Sequence, residues 1–251
     1  MVDIQQDSAT PEDNVILCMK WGTKYGAEYV NRLYNMVKRH LTLPFKMVCL
    51  TDRTEGIDPA IQCFPIPSLD LPAGSPERGW NKLSTFEPDL YGLKGNALFI
   101  DLDVVIVDNI DCFFQAEGEF LVIHDWKRPW RITGNSSVYR FKLGAFPEVL
   151  PYFREHFDEI REKFRNEQEY LSWFMHKEGK LSYWDKDWCK SYKYHCLRKV
   201  PFAYFQPPVK PKGAKIIIFH GEINPPDAIS GGGGKWYRYV LPSDWIKESW
   251  Q

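Results

Sequence analysis

The sequence predicts an α/β protein with a mixed, mainly parallel central sheet flanked by helices. Two observations lead to this fold class. Short apolar runs that are typical of buried strands alternate with segments in which apolar residues recur at helical spacing. The alternation continues along most of the 251 residues, which indicates a parallel sheet covered by helices.

The first half begins with a buried strand and an amphipathic helix. The strand is the apolar run Val15–Met19, and over residues 25–40 large apolar side chains recur on one helical face. Further strands are predicted at Phe45–Leu50, Ile61–Ile66 and Asn96–Ile100. Before the last of these, residues 67–79 are rich in Pro and Gly and predict a loop, and Lys82–Tyr91 predicts a helix despite Pro88.

The second half continues the alternation with less regular connections. Strands are predicted at Phe120–Ile123, Ser137–Phe141 and Lys215–Phe219, and helices over residues 147–165 and 167–178. Residues 181–215 hold short pieces separated by prolines, and Pro225, Pro226 and the glycines at 231–234 predict a flexible loop. Ligands of such sheets bind at the carboxyl ends of the strands, so the residues that follow each strand are the candidates for a site.

Composition restricts the class of function. The formal net charge of −1 argues against a protein that binds nucleic acid by neutralising phosphates. Aromatic residues make up 16% of the chain, and their rings stack on nucleobases and on the C–H faces of sugars, although a ring-rich core explains the excess equally well. The six cysteines include no C-x-x-C pair, which supports neither a disulfide framework nor a zinc site.

The sequence contains no targeting signal that we recognise. Met1–Asp13 is polar and acidic, unlike a signal peptide, and no run reaches the roughly 20 apolar residues of a membrane helix. A cytoplasmic location is therefore the default expectation, and peripheral contact with the inner face of a membrane stays open.

The segment with the clearest chemical meaning is Leu98–Asp103, in which a buried strand delivers Asp101 and Asp103 two positions apart. Two carboxylates at the end of a hydrophobic strand are unfavourable unless a cation neutralises them. Carboxylate oxygens together with diphosphate oxygens suit Mn²⁺ or Mg²⁺. A solvated exit from strand to loop is the alternative, because a bare D-x-D pair is common.

Other candidate residues follow other strands. Trp21 and Tyr25 follow the first strand and either stack on a base or belong to the core. Asp125 is a reasonable acceptor for a sugar hydroxyl, although a surface loop explains it equally well. Arg128 lies between two tryptophans in the sequence, and Arg131 directly follows the second of them. These arginines either meet an anionic acceptor or are simply solvated.

The order of short motifs along the chain carries a family resemblance. These motifs are Lys82-Leu83, the pair Asp101 and Asp103, Asn135–Val138, Glu167-Gln168, and His220-Gly221. Their order over roughly residues 14–226 resembles the retaining GT-A glycosyltransferases of family 8, the family of glycogenin and the lipopolysaccharide galactosyl- and glucosyltransferases. The resemblance to the family 32 mannosyltransferases is more distant.

The resemblance implies a GT-A (Rossmann-like) fold in a single domain of residues 1–251. We expect a nucleotide-binding half at residues 14–110, an acceptor-binding half at 111–226 and a C-terminal tail at 227–251. It also implies that Asp101, Asp103 and His220 bind the metal, Mn²⁺ or Mg²⁺. Donor-binding roles are implied or expected for Lys20, Trp21, Tyr25, Asp52, Lys82, Leu102, Asn135, Ser136 and Gly221, and catalytic roles for Glu167, Gln168 and Asp125.

Two departures from the family pattern concern phosphate and nucleotide contacts. The family places a phosphate-binding lysine after the C-terminal histidine, whereas this chain continues with Asn224 and two prolines. We expect Asn224, or a lysine such as Lys212 or Lys235, to replace it. The second departure is Lys20–Gly22, which stands where the family has its usual nucleotide-binding turn.

The implied function is metal-dependent transfer of a sugar from a nucleotide-sugar donor to a glycan or glycolipid acceptor, with retention, in surface polysaccharide or lipopolysaccharide synthesis. UDP and a hexose are the family defaults. Two alternatives stay open. A haloacid-dehalogenase-type phosphatase would use Asp101 as nucleophile and Asp103 as acid and base, although its motif normally lies on the first strand. A non-catalytic sugar-binding domain on the same fold is the other. The sequence does not indicate an oligomeric state.

Overall fold

The computed structural model describes residues 14–71, 79–221, 223–232 and 239–251, and these contain ten strands and seven α-helices. The strands are β1 Asn14–Lys20, β2 Lys46–Thr51, β3 Gln62–Phe64, β4 Asn96–Ile100, β5 Val104–Ile106, β6 Phe120–His124, β7 Gly134–Lys142, β8 Leu181–Tyr183, β9 Cys189–Ser191 and β10 Ile216–Ile218. The α-helices are α1 Ala27–His40, α2 Cys112–Gln115, α3 Val149–Glu155, α4 Phe157–Lys163, α5 Glu167–Lys177, α6 Pro225–Ser230 and α7 Asp244–Ser249. The predictions for Met1–Asp13, residues 72–78, Lys235 and the glycines at 233 and 234 lie outside the described residues.

The central sheet has seven strands in the order β3-β2-β1-β4-β7-β6-β8. Strands β1 to β4 of this sheet pair in parallel, and β6 pairs in parallel with β8. Strand β7 runs antiparallel to both of its neighbours, β4 and β6. The expected fold class, a mixed and mainly parallel sheet flanked by helices, is therefore confirmed.

Three further strands form a small second sheet beside the end of β4. Its order is β5-β10-β9, with β10 antiparallel to β5 and parallel to β9. The chain leaves β4, passes through Asp101–Asp103 and enters β5 at once, so these three residues connect the two sheets. Phe219 continues the β10 pairing, because its N–H donates to the carbonyl of Asp103 at 3.0 Å.

The central strands are buried on both faces, as near-continuous apolar runs predict. Alternate residues of β1 face opposite sides of the sheet. Ile16 packs in a core with α1 and the second sheet, whereas Leu17 packs in a core with the 3₁₀ helix Trp80–Phe86 and α5. Burial on both faces leaves the carboxyl ends of the strands as the place where polar groups meet solvent.

Several boundaries differ from the predictions. The helix predicted at Lys82–Tyr91 is a buried 3₁₀ helix, Trp80–Phe86, that ends because Pro88 forces Glu87 into an extended conformation. The helix predicted at 147–165 is divided into α3 and α4 at His156, whose backbone leaves the helical region at φ −110° and ψ 29°. Pro225 and Pro226 begin α6 and do not belong to a loop, since proline fits the first turn of a helix.

No helix in the described ranges is both long and apolar enough to cross a bilayer.

Candidate active site

The carboxyl ends of the parallel strands β1, β2 and β4 meet at one edge of the central sheet. Beyond that edge lies a cleft of about 270 Å³, which we call the first cleft. It is lined by Met19, Lys20, Trp21, Lys24, Tyr25, Gly79, Lys82, Asp101, Leu102, Asp103 and Glu167. The structure thus brings together seven of the residues singled out in the sequence for donor or metal binding, and Glu167 with them.

An ion pair between Lys82 and Asp101 lies at the floor of the first cleft. The Nζ atom of Lys82 lies 2.7 Å from Oδ1 and 2.8 Å from Oδ2 of Asp101, and it also donates to the carbonyl of Ser136 at 3.2 Å. Burial alone would lower the pKa of Lys82, but the charges of Asp101 and Glu167 outweigh it and hold that pKa above its ordinary value. Lys82 is therefore a buried, permanently charged ammonium that faces the cleft.

The ionised form of Asp103 is disfavoured in the folded protein. Burial, together with the negative charge of Asp101, raises the pKa of Asp103 to about 6. The hydroxyl of Tyr25 donates to Asp103 Oδ2 at 2.8 Å and offsets part of that penalty. Tyr25, expected beside a base, thus holds a carboxylate in addition to lining the cleft.

The two aspartates fit a divalent cation. They present hard oxygen donors to the same cleft, and the unfavourable burial of Asp103 is what a cation would relieve. The third expected ligand does not join them. No three His, Cys, Asp or Glu side chains within the described ranges come close enough together to hold a metal ion.

His220 instead faces a neighbouring cleft. Its Nε2 atom lies 2.7 Å from Ser191 Oγ, and its ring stacks on Trp126 with the ring centroids 6.0 Å apart. The backbone nevertheless comes near the aspartates, because Phe219 is hydrogen-bonded to Asp103. The structure therefore brings the His220 backbone beside the pair while its side chain has other contacts.

Glu167 and Gln168 open α5 and point to different clefts. Glu167 is buried on the first cleft, where Ser136 Oγ donates to its Oε1 at 2.8 Å, and burial raises its pKa despite the charge of Lys82. Gly79 allows this packing, since a Cβ at its left-handed backbone (φ +82°) would lie 3.3 Å from the Glu167 carboxylate. Gln168 Oε1 accepts from the Ser136 N–H at 3.4 Å.

Gln168 belongs to a second cleft, of about 320 Å³, on the other side of Ser136. The second cleft is lined by Asp125, Trp126, Lys127, Arg128, Asn135, Arg165, Asn166, Gln168, Tyr194 and His220. Ser136, through its contacts with Lys82, Glu167 and Gln168, separates the two clefts. A ligand that spans both clefts would therefore contact the charged groups of the first cleft at one end and the polar and aromatic groups of the second at the other.

The turn after β1 lies at the entrance of the first cleft. Trp21 lines the first cleft and is 38% exposed, so its indole is accessible to a planar ligand. Asp52 does not border either cleft; its Oδ2 accepts from the Gly22 N–H at 2.9 Å and its Oδ1 lies 3.8 Å from Lys20 Nζ. Gly221, in a left-handed conformation after His220, borders neither cleft.

The expected replacements for the family's phosphate-binding lysine have other positions. Asn224 caps α6, where its side chain and that of Asp227 form a capping box. Lys212 borders neither cleft, and Lys235 is outside the described residues. Lys24, which the sequence analysis did not single out, lines the first cleft. Its place in the turn that follows the first strand is the signal that could have found it.

The fold is that of GT-A glycosyltransferases. The galactosyltransferase LgtC, solved with donor and acceptor sugar analogues, superposes with a TM-score of 0.56 at 12% identity, over 84% of this chain and 88% of LgtC. The glycosyltransferase GlyE of Streptococcus pneumoniae TIGR4 has a TM-score of 0.61 at 11% identity, over 95% of this chain and 61% of GlyE. The bifunctional glycosyltransferase WbbM has a TM-score of 0.57 at 12% identity, over 85% of this chain and 47% of WbbM. No family model and no curated protein matches the sequence.

Proposed function

We propose that the chain is a glycosyltransferase that moves a sugar from a nucleoside-diphosphate sugar to a glycan or glycolipid acceptor. One observation carries the proposal. Asp101, Asp103 and the buried ammonium of Lys82 face one cleft at the end of the central strand β4, and Ser136 lies between that cleft and a second, polar and aromatic one. The arrangement suits a donor whose diphosphate lies in the first cleft and whose sugar reaches the second.

Lys82 is assigned to the leaving group. When the bond to the sugar breaks, negative charge develops on the diphosphate, and a fixed cation in a partly dry cleft stabilises that charge. Because Lys82 is already held by Asp101 and Ser136, little reorganisation is needed during the reaction. A Mn²⁺ or Mg²⁺ ion held by Asp101 and Asp103, with His220 as a further candidate ligand, would supply additional charge neutralisation at the same phosphates.

Ser136, Glu167 and Gln168 are assigned to the anomeric carbon of the donor sugar, because they separate the two clefts. Gln168 presents an amide to the second cleft and is uncharged, which suits orientation of an oxocarbenium-like sugar better than attack on it. The family resemblance favours a retaining reaction, in which the departing phosphate itself accepts the proton of the acceptor hydroxyl, and the uncharged Gln168 is compatible with that route. Asp125, which lines the second cleft, is assigned to a hydroxyl of the sugar or acceptor.

The finer details follow from the resemblance. The exposed indole of Trp21 is assigned to the base, with UDP as the default nucleotide and a hexose as the default sugar. Surface polysaccharide or lipopolysaccharide synthesis at the cytoplasmic face of a membrane is the proposed setting. The position of Asp101 counts against the phosphatase alternative, because Asp101 follows the fourth strand and not the first.

The test is a thermal-shift screen of nucleoside diphosphates and their sugars with and without Mn²⁺, followed by a turnover assay. A ligand that binds the native state raises its melting temperature. We expect a shift with UDP or a UDP-sugar that requires Mn²⁺, and slow Mn²⁺-dependent hydrolysis of that UDP-sugar.

The remaining alternative gives a different result. A non-catalytic sugar-binding domain would bind glycans without turning over any nucleotide sugar. No Mn²⁺-dependent shift with any nucleoside diphosphate, and no turnover, would contradict the proposal. In both assays Asp103→Asn should remove the Mn²⁺-dependent signal. Asp108→Asn is its matched control, since Asp108 is an exposed carboxylate next to the second sheet.

A further inference from the structure

The second cleft has an unusual share of positive charge. Lys127 and Arg128 reach it from the turn that follows β6, and Arg165 reaches it from the residues before α5. The turn is ordered by its own backbone: the Arg128 N–H donates to the Asp125 carbonyl at 3.3 Å, and the Arg131 N–H donates to the Arg128 carbonyl at 2.9 Å. The cations are therefore attached to a defined turn beside the cleft.

The charges that face this cleft are not balanced. Arg165 is paired with Glu169, one turn along α5. Asp125 is the carboxylate that borders the cleft, and its Oδ1 accepts from the backbone N–H of Lys127 at 2.9 Å. Within the part of the chain that the structure describes, no carboxylate forms an ion pair with Lys127 or Arg128. Glu169, which is paired with Arg165, also lies near enough to Arg128 to feel its charge. Three cations, Lys127, Arg128 and Arg165, are thus set against two carboxylates, Asp125 and Glu169, and the cleft keeps an excess of positive charge.

Solvation alone explains unpaired cations on a convex surface, but a cleft concentrates their field. The walls of the cleft also carry groups that suit a sugar. Trp126 and Tyr194 provide aromatic faces, and Asn135 and Gln168 provide amides. Lys127 Nζ lies 5.7 Å from the ring centroid of Tyr194, so its charge is next to one of those faces.

The diphosphate of the donor does not account for these cations. Lys20, Lys24 and Lys82 already line the first cleft. The second cleft lies on the other side of Ser136. Its cations do not line the first cleft, where Asp101 and Asp103 lie. A separate anionic group on the ligand of the second cleft would use them.

We propose that the second cleft binds a sugar that carries a carboxylate or a phosphate, with Lys127 and Arg128 as the residues that recognise the anion. This inference rests on the proposed function, because it names the substrate class of the same site. The anionic sugar is either the transferred sugar of the donor, as in a nucleotide-linked uronic acid, or a sugar of the acceptor.

The experiment has one arm for each source. In the donor arm, titration calorimetry with Mg²⁺ compares UDP-glucuronate with UDP-glucose. In the acceptor arm, ligand-observed NMR compares methyl β-glucuronide and glucose 6-phosphate with methyl β-glucoside, with and without UDP and Mg²⁺. We expect the anionic ligand to bind about tenfold more tightly in at least one arm, the scale of one charge-assisted hydrogen bond at a partly exposed site.

Variants test whether these residues cause the preference. Arg128→Ala and Lys127→Ala should each remove most of it and leave the affinity for UDP and for the neutral ligand unchanged. Arg131→Ala is the matched control, since it removes the same charge from the same turn but does not border the cleft. Equal melting temperatures would verify that all three variants fold.

Two results would overturn the inference. One is equal affinity for anionic and neutral ligands in both arms while UDP still binds, which leaves the proposed function intact. The other is an equal loss of preference in Arg131→Ala, which would mean that the overall surface charge attracts the anion. Failure of UDP and both UDP-sugars to bind would count against the proposed function, and the acceptor arm without UDP would still decide the inference.

Discussion

Replacing Asp103 by asparagine is expected to stabilise the metal-free protein at neutral pH although it removes a proposed metal ligand. Burial and the charge of Asp101 raise the pKa of Asp103 to about 6. The folded protein therefore pays an electrostatic penalty whenever Asp103 is ionised. An asparagine has nearly the same shape, and its amide oxygen can still accept the hydrogen bond that Tyr25 donates to Asp103.

The size of the effect follows from the raised pKa. A folded-state pKa of about 6 against an ordinary value of 3.8 corresponds to about 3 kcal/mol when the carboxyl is ionised in both states. Water in the cleft screens part of this, so roughly 1–3 kcal/mol is expected. The penalty is fully present above the folded pKa and is lost as the pH falls through it, so at pH about 5 roughly half should remain.

The assay is urea unfolding of wild type and Asp103→Asn, with a chelator, at pH about 7.5 and about 5. The variant should be the more stable protein at the higher pH, by a margin that shrinks at the lower pH. With Mn²⁺ and UDP the order should reverse, because the wild type alone gains from ligand binding. Asp108→Asn should not stabilise the protein, since the pKa of Asp108 is lowered, first by the backbone N–H of Asn109. Equal or lower stability of Asp103→Asn at the higher pH would refute the reasoning.

Four further substitutions test other parts of the site. Trp21→Ala should weaken UDP binding about tenfold in calorimetry, because base stacking contributes about 1–3 kcal/mol; an unchanged Kd would remove Trp21 from the base site. Gln168→Ala should lower kcat at least about tenfold with the donor Kd unchanged, and a change in Kd alone would contradict its role at the anomeric carbon. His220→Ala should reduce the Mn²⁺-dependent thermal shift if the side chain leaves Ser191 and joins the aspartates when Mn²⁺ binds, whereas a full shift would show that His220 is not a ligand. Gly79→Ala should lower the free energy of unfolding by about 1 kcal/mol, because of its left-handed backbone and the nearby Glu167 carboxylate; unchanged stability would contradict that packing.

Hydrophobic patterning predicted most of the central sheet. Strand β4 ends at Ile100, as the apolar run Asn96–Ile100 indicates, and Asp101 follows it directly. Strand β1 and helix α1 also lie where their apolar spacing predicts them. These elements are buried along continuous runs or regular faces, and such patterns depend on local sequence alone.

Short elements that depend on tertiary contacts were not predicted. Strands β5 and β9 have three residues each, and each pairs with β10 in the second sheet. Pattern analysis finds no period in so few residues. Helix α7 was also missed, although Ile246 and Trp250 pack into the core with α1.

The site shows the same division. The sequence indicated Asp101 and Asp103 by their place at the end of a buried strand, and the family resemblance added Lys82; all three line the first cleft. The position of the His220 side chain depends on its contact with Ser191. Ser191 lies in β9, a strand that could not be predicted. The roles of Asn224 in α6 and of Lys24 in the first cleft likewise depend on how distant segments pack.

The central claim is that Asp101 and Asp103 hold a divalent cation beneath a nucleoside diphosphate. The most direct measurement is anomalous diffraction at the manganese edge from crystals grown with Mn²⁺ and UDP. We predict one strong peak within coordination distance of both carboxylates and of the diphosphate oxygens, about 2.0–2.3 Å. An occupied UDP site without such a peak, or a manganese peak away from both aspartates, would contradict the account.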